Sequence, residues 1–243
     1  MKRVLLTIAY DGTAYHGWQV QPNGITVQQS LQDGLEKILG KRVGVSGCSR
    51  TDAGVHAREF CCHFDCDEKF PPNAFLRGLN SVLPDDIAVT DCRIADSGFH
   101  ARYSARGKAY VYNMYSGPSD PFRTRYSLRL EKVPDGERIA HFCDTVVGTH
   151  DFAGFSSSRR SVDDTVRTVT DCHFEIDGSN YRFCISADGF LYNMVRIIAG
   201  TALDVSSGRL SPDCAADVFK SGDRSLAGQT LPPQGLFLNK VFY

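Results

Sequence analysis

The sequence is short of net charge. Its 27 Lys and Arg stand against 28 Asp and Glu, a balance of -1 with an isoelectric point near 6.6. Phosphate binding draws on clustered cations, so the whole-chain balance argues mildly against nucleic acid. No stretch approaches the roughly 20 consecutive apolar residues that a membrane-spanning helix needs, which excludes that class. A G-x-x-x-x-G-K-[ST] loop and a G-x-G-x-x-G turn are both missing, so ATP, NAD and other nucleotide cofactors are set aside. No charged n-region with an apolar h-region precedes Val4, and the 9 cysteines are odd in number and irregularly spaced. Neither export nor a disulfide framework is expected, and a reducing, cytoplasmic setting follows.

What is present is enough for a large core: 42% of the 243 residues are apolar. Basic charge gathers mid-sequence at Arg102, Arg106 and Lys108 and again at Arg123, Arg125 and Arg129, so a basic groove on a neutral protein stays open. The apolar run Val4–Tyr10 reads as a buried strand. Thr26 with Gln29 three residues on is a capping box, and Val27, Leu31, Leu35 and Ile38 follow on one helical face until Gly40. Short strands are expected at 43–47 and 59–65, a helix from Pro71-Pro72 carrying Phe75, Leu76, Leu79, Val82 and Leu83, and a strand at 87–94. The order is βαββαβ. The remainder repeats it: a strand at 108–115, a helix around 139–147, strands at 165–176 and 180–187, a helix from Phe190 to about Leu203, a short helix near 212–220, and a last strand at 235–242. The expected class is therefore α+β, with tandem ferredoxin-like or RRM-like units at 1–105 and 106–243, antiparallel sheets, and a cleft between them.

The loop Gly47-Cys48-Ser49-Arg50-Thr51-Asp52-Ala53-Gly54-Val55-His56 packs a carboxylate, a guanidinium and an imidazole together. Loops on a rigid sheet are favoured places for catalytic groups, and Ala53-Gly54 leaves room at the backbone. By spacing alone, the favoured reading of Asp52 is a cap of a local turn that pairs with Arg50. Arg196 lies on an apolar helix, where a charge is costly unless paired, or else snorkels to water. Tyr110, in an aromatic strand flanked by cations, suits base stacking, while period 2 also allows Tyr110 and Tyr112 to be core residues.

The segment Ser49–Ala57 resembles the signature loop of the tRNA pseudouridine synthase A (TruA) family. Further pieces resemble that family in order: Tyr10-Asp11-Gly12 with Tyr15-His16-Gly17-Trp18-Gln19, Thr26-Val27-Gln28, Phe99–Ala105, Tyr110-Val111-Tyr112, Asp151-Phe152, Phe190–Arg196 and Gly235–Leu238. One departure stands after Ala57, where such proteins often carry Gly-Gln and this chain has Glu59-Phe60.

The resemblance implies the pseudouridine synthase fold and Asp52 as the catalytic carboxylate. It also implies Tyr110 as the substrate-stacking ring and Arg50 as the side chain that fills the flipped base's place; Arg196, a charge on an apolar helix, is expected to pair with Asp52 and keep it ionised. His56 would position the loop and Leu236 would line an apolar wall. The implied substrate is tRNA, at uridines of roughly positions 38 to 40 in the anticodon arm, with no cofactor and no metal and with a homodimeric enzyme.

Two other readings compete. A non-catalytic RRM-like RNA binder has Arg106–Val111 as a partial RNP1 match, but Lys108 stands where an aromatic belongs and the segment falls on strand one. A metal site from Cys61, Cys62, His63 and Cys66 is opposed by their alternation along a strand.

Overall fold

The first strand, β1 (Lys2–Tyr10), is nearly continuous in apolar residues because it is hydrogen-bonded on both sides and covered: Val4, Leu5, Leu6 and Ile8 are all buried. In the computed structural model, which describes residues 1–67, 70–157 and 164–243, it is followed by α1 (Val27–Leu39). The ends of α1 are those its sequence specifies. The Thr26 hydroxyl accepts from the Gln29 N–H at 3.3 Å, and Gly40 closes the helix with a left-handed φ of 69°. Then come β2 (Ser46–Gly47), β3 (His56–Cys66), α2 (Pro72–Asn80) and β4 (Ile87–Ala95). The next stretch holds β5 (Gly107–Ser116), α3 (Pro121–Thr124), β6 (Leu128–Leu130), α4 (Gly136–Val146) and β7 (Gly148–Asp151). It continues with β8 (Val166–Asp177), β9 (Asn180–Ala187), α5 (Met194–Ser206), α6 (Cys214–Ser221) and β10 (Leu236–Phe242).

By proximity of Cα atoms the chain divides into Met1–Arg106 with Phe237–Tyr243, and Gly107–Leu236. In the first unit β1 runs antiparallel between β3 and β4, with Leu6 opposite Cys62 and Cys92. β2 adds to β3 at one end, Gly47 opposite Cys62, and β10 adds in parallel at the other, Phe237 opposite His56. That pairing is why the last seven residues group with the first unit, whereas the sequence reading kept the last strand with the second half. Gly34 of α1 lets Leu79 of α2 and Leu83 of the turn after it come close, where a Cβ would stand 3.4 and 3.1 Å from them.

In the second unit β5, β9, β8 and β7 run antiparallel in that order, and β6 lies parallel on β5. Tyr181, Phe183 and Ile185 of β9 are buried, as are Met194, Val195, Ile197, Ile198 and Ala202 of α5, which packs against α4. Both units therefore carry the mixed α+β plan with mostly antiparallel strands.

Several boundaries differ from expectation for identifiable reasons. α2 stops at Asn80, leaving Val82 and Leu83 in the turn that leads to Pro84, a residue that disfavours helix just before it. The strand expected at 43–47 is reduced to Ser46–Gly47. β3 is buried on both faces, with Cys61 and His63 each 5% exposed beside Phe60, Cys62 and Phe64. The helix expected from Phe190 begins at Met194, because Asn193 adopts φ 61° and cannot lie inside a right-handed helix. α3, β6 and β7 were not foreseen. Among the described residues no helix is long and apolar enough to cross a membrane.

Candidate active site

Asp52 sits half-buried in the loop that joins β2 to β3. The Val55 N–H donates to the Asp52 carbonyl at 3.1 Å, and Gly54, the third residue of this turn, has φ 77°, as a type II turn requires. The loop is held from several sides. The Thr51 hydroxyl lies 2.8 Å from the Tyr10 hydroxyl in the interior, the Thr51 carbonyl accepts from the Trp18 N–H at 3.1 Å, and the Gly54 N–H donates to the Tyr15 carbonyl at 3.3 Å.

The segment that supplies these contacts can approach only because it carries glycine at two places. A Cβ on Gly12 would stand 2.0 Å from the Val55 carbonyl oxygen, and one on Gly17, itself at φ 84°, 2.5 Å from that of Thr51. α1 anchors the same segment from behind, the Val27 and Gln28 N–H groups donating to the Gly17 and Trp18 carbonyls at 3.2 and 3.0 Å. Phe60, at the departure from the family pattern, is fully buried with its ring centroid 4.1 Å from that of Trp18 and 5.7 Å from that of Tyr10. It backs the support of the loop.

His56, the first residue of β3, is fully buried and stacks on Phe237 at 4.6 Å. Its Nδ1 accepts from the Gly12 N–H at 3.0 Å, which puts the proton of the neutral ring on Nε2. Asp11 Oδ1 lies 3.0 Å from the same nitrogen and becomes an ion-pair partner only if Nδ1 is protonated. Arg50 is exposed on the loop.

The second unit holds the other expected residues. Tyr110 on β5 is buried, 6% exposed, and meets Phe190 edge-on at 5.1 Å. Tyr112 is fully buried and donates its hydroxyl to the Pro232 carbonyl at 2.7 Å, so it is a core residue with a satisfied polar end, and burial raises its pKa. Arg196 on α5 is half-buried, its Nε donating to the Leu231 carbonyl at 2.6 Å and its Nη1 to Asn193 Oδ1 at 2.8 Å. Leu236 is buried at the head of β10.

A family model for tRNA pseudouridine synthase matches residues 6–104 and 142–243. The chain belongs to the tRNA pseudouridine synthase family. It is 42% identical to tRNA pseudouridine synthase A 2 of Clostridium perfringens and 44% identical to tRNA pseudouridine synthase A of Clostridium kluyveri, each alignment covering 100% of both chains. Caldicellulosiruptor bescii has a tRNA pseudouridine synthase A that is 42% identical, again over 100% of both.

Within this synthase family member, the sequence reading missed three supports. Gly12 and Gly17 stand in the sequence as motif residues, and their position in a turn beside a strand end is the signal that backbone meets the Asp52 loop there. Asn193 is the one non-glycine residue with positive φ among the described residues, and it positions Arg196. Asn tolerates that conformation, and such strain collects at functional sites.

Cys61, Cys62, His63 and Cys66 form no group with metal-ligand spacing among the described residues. The group that does is His173, Glu175 and Cys184, on the exposed side of β8 and β9. Its members already satisfy one another and their neighbours, His173 Nδ1 lying 2.9 Å from Asp171 and Glu175 pairing with Arg182 at 2.6 Å.

Proposed function

We propose that this chain converts uridine to pseudouridine in tRNA and that Asp52 is its catalytic carboxylate. The observation that carries the reading is the Asp52 turn itself: a half-buried carboxylate on a loop pinned to β1 and to the Gly12–Trp18 segment, in a chain of this family. The reaction breaks the bond from ribose C1′ to uracil N1, turns the base, and rebuilds the link through C5. The proton lost from C5 is balanced by one gained at N1, so the step needs neither electrons nor a cofactor. A fixed carboxylate serves it as nucleophile or base.

The remaining roles follow the same reading. Tyr110 stacks on the target base, which displaces part of what now covers the ring. Arg50 occupies the place the flipped nucleotide leaves. Arg196, already oriented by Asn193, pairs with the Asp52 carboxylate and holds it ionised. His56 fixes the start of β3 behind the loop, and Leu236 supplies apolar wall. The targets are uridines at roughly positions 38 to 40 of the anticodon arm, the enzyme works as a cytoplasmic homodimer, and pairing of two subunits joins modest basic patches on a neutral chain.

The test is to incubate tRNA transcripts with the protein and map carbodiimide-stable adducts by reverse-transcription stops. Stops confined to the anticodon arm support the reading. Stops elsewhere overturn the positions, and tRNA binding with no stops returns the protein to the class of RNA-binding modules.

A further inference from the structure

Phe99–Ser104, between β4 and β5, is built as a rigid short loop with one large ring pushed into water. The His100 and Ser104 residues clasp each other, the His100 N–H donating to the Ser104 hydroxyl at 3.0 Å and the Ser104 N–H to the His100 carbonyl at 2.9 Å. His100 Nδ1 accepts from the Arg102 N–H at 3.1 Å and lies 3.4 Å from the Tyr103 nitrogen. Below it, buried His63 accepts the Ala101 N–H on Nδ1 at 3.2 Å, and the two imidazoles meet edge-on at 4.8 Å. The Tyr243 hydroxyl donates to the Ala101 carbonyl at 2.8 Å. The loop backbone is thus tied to the residues beneath it, while the side chains of Arg102 and Tyr103 stand exposed.

That ring is 78% exposed, although it lies 4.4 Å from His100 and has the Arg102 guanidinium 5.8 Å from its centroid. Arg106 is exposed a few residues on, its N–H held by the Phe242 carbonyl at 2.8 Å. An exposed aromatic surface with one guanidinium beside it, and a second exposed arginine three residues along the chain, matches an unpaired nucleotide, whose base offers a flat face and whose phosphates offer negative charge. A protein interface also uses Tyr and Arg, and oligomeric mass separates it from a nucleotide site. None of these residues belongs to the Asp52 loop.

We propose that Tyr103, with Arg102 and Arg106, forms a second nucleotide-binding site, stacking an unpaired base of the bound RNA and pairing with its phosphates. The proposal rests on the tRNA reading above and adds to it a place where the substrate is gripped.

The test measures tRNA affinity by filter binding, turnover under single-turnover conditions, and mass by light scattering for the native protein, Tyr103→Ala and Tyr103→Phe. Loss of a stacked base weakens binding by roughly 10-fold or more. The expected result is that loss in Tyr103→Ala, near-native affinity in Tyr103→Phe because the ring is kept, and an unchanged rate at saturating enzyme. Native affinity in Tyr103→Ala, with native turnover, overturns the stacking site and leaves the synthase reading standing. A native protein that neither binds nor modifies tRNA overturns both. A Tyr103→Ala protein that binds tRNA normally but changes its oligomeric mass assigns the ring to a protein interface and overturns the site.

Discussion

Gly12→Ala is a one-methyl change that reaches the Asp52 loop without touching Asp52 itself. The added Cβ stands 2.0 Å from the Val55 carbonyl oxygen and 2.7 Å from its carbon, and both are backbone atoms with no rotamer to yield. Real Cβ contacts essentially never fall under 3.0 Å, so one backbone must move by at least about 1 Å. Val55 closes the Asp52 turn through its 3.1 Å bond, and the Gly12 N–H holds His56 at 3.0 Å, so the shift passes to both ends of the turn. Displacing a reacting group by about 1 Å costs on the order of 100-fold in rate, while overpacking costs about 1–3 kcal/mol of stability. The expected variant is folded, melts somewhat lower, and turns over at about one hundredth of the native rate. Gly98→Ala is the control, since nothing lies within 4 Å of its added Cβ, and it should match the native protein. A Gly12→Ala protein with native turnover would refute the idea that this close approach positions Asp52.

Asn193→Gly and Asn193→Ala separate backbone strain from side-chain support. Both lose the 2.8 Å bond to Arg196 and should lower turnover, but only Asn193→Ala adds about 1–2 kcal/mol of left-handed strain, which comparative melts would read. Equal melting of the two would contradict this. His63 supplies a pH dependence. Burial, with His100 beside it, pushes its pKa below the ordinary 6.5. A base lowered in the folded state leaves stability intact above 6.5 and removes it as pH falls through that value toward the folded pKa. Denaturant titrations from about pH 7 to 5 should show the loss, and His63→Asn should flatten it. An unchanged slope in that variant would place the effect elsewhere.

The elements most legible in the sequence were those with local chemistry of their own. α1 announced both ends through Thr26 and Gly40, and β1 announced its burial through an unbroken apolar run. Asp52 is singled out only by the ordered motifs that resemble a known family, since its own spacing suits a turn cap as well. What stayed hidden depends on distant partners. Nothing near Asn193 says that its φ is positive, and the helix expected from Phe190 accordingly began too early. β7 is four residues long and exists because β8 offers it an edge. Tyr110 and Tyr112 look alike at period 2, and only the Pro232 carbonyl, 120 residues away, marks Tyr112 as core. Gly12 reads as an ordinary turn glycine until Val55 is seen against it.

The most direct test of the account is tritium release from tRNA transcripts carrying uridine tritiated at C5, with the native protein beside Asp52→Asn. Rebuilding the glycosidic link at C5 must expel that hydrogen, and removing the carboxylate's charge while keeping its shape isolates the group proposed to do the work. The account predicts release by the native protein and none by Asp52→Asn, with tRNA still bound by both. Release at similar rates from the two proteins would contradict it.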